Sequence, residues 1–192
     1  MGAAWKAMPG DLSEPKLGKR VLDLMDDMNN WGFKKTVITE ADLFTISHDN
    51  EMYAHMNVNY LMMDELPAFN NGWQPVVDAM QRGKFFGSTG EVLIPELQIN
   101  NKLSGDTFTL NKDGSADIRL KLKWTFPMNY IEIISGDGEK VYRHKIDLTK
   151  TQSFGEQLFQ FKVALKNRTW VRVEAWDIAA NGAFSQSFYI NK

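Results

Sequence analysis

The chain has 192 residues, a net charge of −2 and 43% hydrophobic against 24% charged residues, the proportions of a soluble globular protein rather than a disordered or collagen-like one. No apolar run approaches the ~18 residues of a membrane span, and the charge balance offers no basic footprint for nucleic acid. The absence of cysteine excludes disulfides, thiolate nucleophiles and cysteine-ligated metal centres, while fitting a cytoplasmic and an exported protein equally well.

Charge is unevenly distributed. Residues 1–100 carry 8 Lys/Arg against 14 Asp/Glu, a net of −6, whereas residues 101–192 carry 14 against 10, a net of +4. At ~100–200 residues per domain the length admits one large domain or two small ones, and the asymmetry favours two differently built halves.

Residues 1–14 read as an extended arm with a turn at Pro9-Gly10-Asp11, and the first five residues lack the basic start and apolar stretch of a secretory leader. Ser13 suits an N-cap, followed by Glu14 and Pro15 in a first turn. The helix so opened is expected to run to about Asn29, burying Leu17, Val21, Leu24, Met25 and Met28, with Gly32 beyond its end. Residues 36–39 and 57–63 are β-like, residues 41–55 are mixed, and a helix is expected over 73–82 with Gly83 as its stop, then a strand from Phe85. Strand, helix and strand in this order make an α/β unit, yet too few strands are present to complete a sheet or barrel.

From Val92 the texture changes. Segments 92–99, 107–110, 116–126, 130–135, 140–147, 158–165, 170–176 and 185–190 are short and strand-like, with turn signals at 111–114, at Asp137-Gly138 and at Asn181-Gly182. Asp137-Gly138 suits a two-residue type I′ hairpin. Alternation in 118–124 and again in 170–176 implies strands with one apolar buried face and one charged solvent face. The expected fold class is α+β: an incomplete α/β segment at 1–91, packed on an immunoglobulin-like β-sandwich at 92–192. A half-sheet of this size holds too little core to stand alone, so it must bury its helix faces on the sandwich or on a second copy of the chain.

Two stretches resemble a known family. Residues 82–91, RGKFFGSTGE, look like the ending of the barrel in PHP-type metal-dependent hydrolases of the CehA/McbA-like group. Residues 170–177, WVRVEAWD, followed by 181–185, NGAFS, are similar to the last hairpin of the β-sandwich appended to those proteins. The resemblance covers residues 15–192 and implies a distorted (β/α)₇ barrel whose strand ends hold two or three divalent metals, zinc or manganese. The chain then corresponds to the last third of such a protein, and the remaining N-terminal barrel portion is its expected partner. The family's His-x-His is absent here, and only His48, His55 and His144 occur.

The residues nearest to a metal-ligand set are Glu40, Asp42, His48, Asp49 and His55, with Glu51 between, since carboxylates and neutral imidazoles suit a hydrolytic divalent ion. As solvated loop residues and helix caps they would have no such role. Ser88, Thr89 and Glu91 follow a strand, where α/β proteins place ligands; the competing reading is a linker into the sandwich. Trp124, Phe126, Tyr130, Trp170, Trp176, Phe184 and Tyr189 could supply a sugar-stacking surface pair, although Trp124 and Trp176 read best as sandwich core. Lys121, Lys123, Arg143, Lys145, Lys162, Lys166, Arg168 and Arg172 alternate along strands as a solvated face, or else dock the acidic N-terminal half. Three functions therefore stand side by side: a non-catalytic portion of a PHP-like hydrolase, an active divalent-metal phosphoesterase using residues 40–55, and a glycan-binding accessory module.

Overall fold

The computed structural model describes residues 3–5, 16–40 and 57–191. Within them, thirteen strands and two helices follow in the order β1 (Ala3–Trp5), α1 (Lys19–Asn30), β2 (Val37–Thr39), β3 (Val58–Leu61), α2 (Gln74–Gln81), β4 (Phe85–Ser88), β5 (Val92–Ile99), β6 (Thr107–Phe108), β7 (Ser115–Trp124), β8 (Met128–Gly136), β9 (Val141–Asp147), β10 (Gly155–Ala164), β11 (Trp170–Asp177), β12 (Gly182–Ser185) and β13 (Phe188–Ile190). The described chain is mostly β, arranged as two facing sheets with helices kept to the periphery.

The smaller sheet is antiparallel, in the order β10-β7-β5. Its middle strand β7 follows the expected alternation: Ile118, Leu120, Leu122 and Trp124 are buried, with Arg119, Lys121 and Lys123 between them. The larger sheet is built around β11. One edge of β11 pairs β8, which pairs β9; the other pairs β12 through Glu174–Trp176 and β13 through Trp170 and Val171. From β12 the sheet continues through β4 to β3, so strands 58–61 and 85–88 are hydrogen-bonded into the same sheet as the strands beyond Val92. The inner faces enclose one core of Val92, Leu97, Ile118, Leu120, Ile131, Val173 and their neighbours.

Several sequence expectations change. The segment expected as one strand at 185–190 divides: β12 ends at Ser185 and β13 begins at Phe188. The β8–β9 connection is a four-residue loop, not a two-residue turn, because only Gly138 takes positive φ. Asp137 acts through its side chain, accepting from the backbone N–H groups of Glu139 and Lys140 and from Tyr142 Oη.

The third change concerns β11. All eight of its residues are buried, including Arg172 and Glu174, so its charged face is not solvated. A third layer covers it: α1 together with the two-stranded parallel pair β1-β2. This layer buries Trp5, Leu22, Met25 and Val37 against Tyr130, Trp176 and Phe184. Trp176 therefore belongs to the outer core, where Trp5 meets it edge-on, while Trp124 lies in the core between the sheets. Gly87 permits the close seating, since a Cβ there would lie 2.4 Å from the Thr39 methyl and 2.7 Å from the Phe184 ring.

Helix α1 begins at Lys19, after Gly18 in the left-handed region, and ends at Asn30 with Gly32 beyond it. Ser13, Glu14 and Pro15, expected to open it, lie outside the described residues. Its buried stripe is Leu22, Met25, Asp26 and Asn29, spaced three and four apart as one helix face requires. The stripe is rotated from the expected one: Leu24 is exposed, and two polar residues take buried places. No described helix is long and apolar enough to cross a membrane.

Candidate functional site

The polar residues on the buried stripe of α1 are explained by what they meet. Arg172, fully buried, donates from Nε to Asp26 Oδ1 at 2.5 Å, from Nη2 to Asp26 Oδ2 at 2.9 Å and from Nη1 to Glu174 Oε1 at 2.6 Å. The second oxygen of Glu174 accepts from Lys16 Nζ and from Trp176 Nε1, each at 2.8 Å. Arg143 on β9 closes the network, donating to Asp23 and Asp26 on the helix and to Glu132 on β8. Three cations thus face four carboxylates across the α1–sheet junction. Of the basic residues expected to be solvated or to dock the acidic half, Arg172 and Arg143 dock it.

Paired guanidinium–carboxylate geometry of this kind is directional, and it sets the ionisation of each partner. Burial opposes the charge of Arg172, but Asp26 and Glu174 overcome it and hold the guanidinium protonated. Burial likewise pushes Glu174 up, and Arg172 with Lys16 outweighs it, leaving the carboxyl at about 2. At Asp26 burial prevails over Arg172 and raises the carboxyl above its ordinary value.

The docked layer is a strand–helix–strand unit with parallel strands, register Trp5 to Thr39. Each edge of β2 has a partner. One pairs β1; along the other, two side-chain amides from the sandwich act as a substitute strand. Gln186 accepts from Val37 N at 2.9 Å and donates to Val37 O at 2.8 Å, and Asn59 does the same for Thr39 at 2.9 and 3.0 Å. Residues 37 and 39 point their backbone groups the same way because strand polarity alternates with period two. Sequence inspection does not single out Asn59 or Gln186, since nothing in their surroundings distinguishes them from surface amides.

Glu40 leaves β2 at the carboxyl end of the parallel pair, its N–H donating to Trp5 O at 3.0 Å and its carbonyl accepting from Asn57 Nδ2 at 2.9 Å. Strand ends of this polarity are where parallel α/β proteins place their chemistry. Asp42, His48, Asp49 and His55, the other proposed metal ligands, and Glu51 lie outside the described residues. Among the described residues no three His, Cys, Asp or Glu are grouped so as to hold a metal ion.

The other predicted positions have structural partners. Ser88 is buried, donates to Val92 O and accepts from Gly90 N, shaping the turn between β4 and β5. Thr89 bonds to Gly182 through both backbone and side chain. Glu91 has a buried carboxylate oxygen with no hydrogen-bond partner, and its charge adds to the burial that raises Asp177, the residue that organises the β11–β12 turn. Because β4 already belongs to the larger sheet, Ser88 and Thr89 shape a turn within the sandwich rather than a linker into it. Of the seven aromatics considered for sugar stacking, only Phe126 is exposed, at 44%, so they do not form a surface pair.

No family model and no curated protein matches this chain. Among solved structures it is similar to the crystal structure of a β-glucosidase from Listeria innocua in complex with isofagomine, at 10% identity and a TM-score of 0.29. That match covers 56% of this chain and 16% of the other, so the chain spans about a sixth of that protein's length.

Proposed function

We propose that the chain is the C-terminal, non-catalytic portion of a PHP-like metal-dependent hydrolase, in which an immunoglobulin-like sandwich serves as the mount for the last part of a parallel α/β barrel. The observation that supports this reading is the parallel β1-α1-β2 unit held on the outer face of the larger sheet by a buried ionic network and by the amides of Asn59 and Gln186. A two-stranded parallel sheet is not self-sufficient, because parallel strands require cover on both faces and two strands alone are at best marginally stable. The sandwich covers one face and one edge; further parallel strands on the β1 edge would complete it.

A second reading rests on Glu40. Its place at the carboxyl end of β2 is where a divalent ion would be held if Asp42, His48, Asp49 and His55 joined it, and a bound zinc or manganese would then activate water for phosphoester or related hydrolysis. Elemental analysis of the purified full chain separates the two. The mount reading predicts substoichiometric zinc and manganese and no hydrolysis of p-nitrophenyl phosphate. One equivalent of either metal, lost when His48 and His55 are both changed to alanine, would overturn it and establish the second.

A further inference from the structure

The two sheets are unequal. Three strands of the smaller sheet face a larger one that runs six strands wide from β9 to β3, so the larger sheet overhangs at both sides and leaves a lateral cleft at each. Beside β3 the cleft, about 580 Å³, is apolar, with the stacked Tyr60 and Phe86 and with Asp64 and Glu96 among its lining. Beside β9 the chemistry is opposite. A cleft of about 330 Å³ between β9 and β10 is lined by Ser135, Tyr142, His144, Lys162 and Arg168 over Ile133.

We propose that this second cleft binds a small oxyanion. Its size falls at the lower end of the range for small-molecule sites, ~300–1,000 Å³, and its basic groups are weakly committed elsewhere. The Arg168 guanidinium lies 3.4 Å over the Tyr142 ring, which fixes its plane; its Nη1 stands 3.9 Å from Asp137, and its buried Nε has no hydrogen-bond partner. Asp137 gives little back, because its oxygens already accept from Glu139 N, Lys140 N and Tyr142 Oη. Lys162 pairs with Asp113 at 3.2 Å, but both side chains are more than half exposed, and such pairs contribute little and exchange readily. His144 is exposed on β9, opposite Ile133 of β8. A phosphate or carboxylate in the cleft would meet the guanidinium edge and the ammonium in the charge-assisted geometry each favours. This site does not depend on the metallohydrolase reading.

The test is NMR titration of the full chain at constant ionic strength, with inorganic phosphate in one arm, acetate in another and chloride as control, reading the His144 ring signals. His144→Gln identifies those signals by their loss. Saturable shifts are expected with phosphate or acetate, with a Kd on the order of millimolar; the arm that saturates tells a tetrahedral anion from a planar carboxylate. Lys162→Ala, at an exposed position that leaves the fold intact, and Arg168→Gln should each weaken binding about tenfold, and Asp64→Asn in the opposite cleft should leave it unchanged. Shifts that do not saturate in either arm, that chloride reproduces, or that persist unaltered in Lys162→Ala would overturn the proposal.

Discussion

Arg172→Met lowers the stability of the chain by about 3–5 kcal/mol, the loss expected when one member of a buried ionic network is removed and its partners are left uncompensated. The orphaned groups are Asp26 and Glu174, both on the buried junction. Glu174 loses the stronger of the two cations that hold it ionised, and Asp26, already raised by burial, is left with Arg143. The triple variant Asp26→Leu, Arg172→Met, Glu174→Leu should lose less than the single variant, because the two carboxylates that Arg172 neutralises leave with it, while Lys16 keeps Glu132 as its remaining partner. Urea denaturation of the two variants gives the comparison. A single-variant loss below about 1 kcal/mol, the scale of an exposed ion pair, would mean that the network is solvated.

Trp176→Ala should cost a similar amount, about 3–5 kcal/mol, as expected for a buried aromatic reduced to alanine. The indole lies in the outer core, edge-on to Trp5, and gives a hydrogen bond to Glu174. Its removal opens a cavity in that core and withdraws a donor from the network together. The effect should therefore be concentrated in the docked layer, with α1 signals losing dispersion in NMR spectra before those of β5, β7 and β10. Trp124→Ala, on the inner face, provides the contrast: its damage falls on the core between the sheets, where Trp124 belongs. Equal loss of order in both layers from Trp176→Ala would argue against two separate cores.

Much of the sandwich was legible in the sequence because its pattern is local. Ile118, Leu120, Leu122 and Trp124 alternate with charges, and that alternation is all a one-sided strand needs. The same pattern misleads in 170–176. Period two distinguishes the two faces of a strand, but it cannot tell a face covered by water from one covered by a helix carrying the complementary charge. Asp26 on α1 held the missing information, and it reads as an ordinary acidic residue until Arg172 is placed beneath it. The strands at 58–61 and 85–88 join the larger sheet through β12, a long-range pairing that no local signal encodes. Asn59 and Gln186 were invisible for a similar reason, since an amide imitates a neighbouring strand only once the fold has brought β2 alongside. Of the proposed metal ligands, Glu40 alone falls among the described residues, directly after β2.

Native-state hydrogen exchange of the full chain tests most directly whether the sandwich holds the parallel unit as one cooperative body. If it does, the amides of Leu22, Met25 and Asn29 in α1 exchange through the same global opening as Val173 and Ala175 in β11, and Val37 and Thr39 in β2 are protected with them. Exchange of α1 and β2 faster than that of β11 by roughly a hundredfold or more, through a local opening, would contradict it and leave the sandwich standing alone.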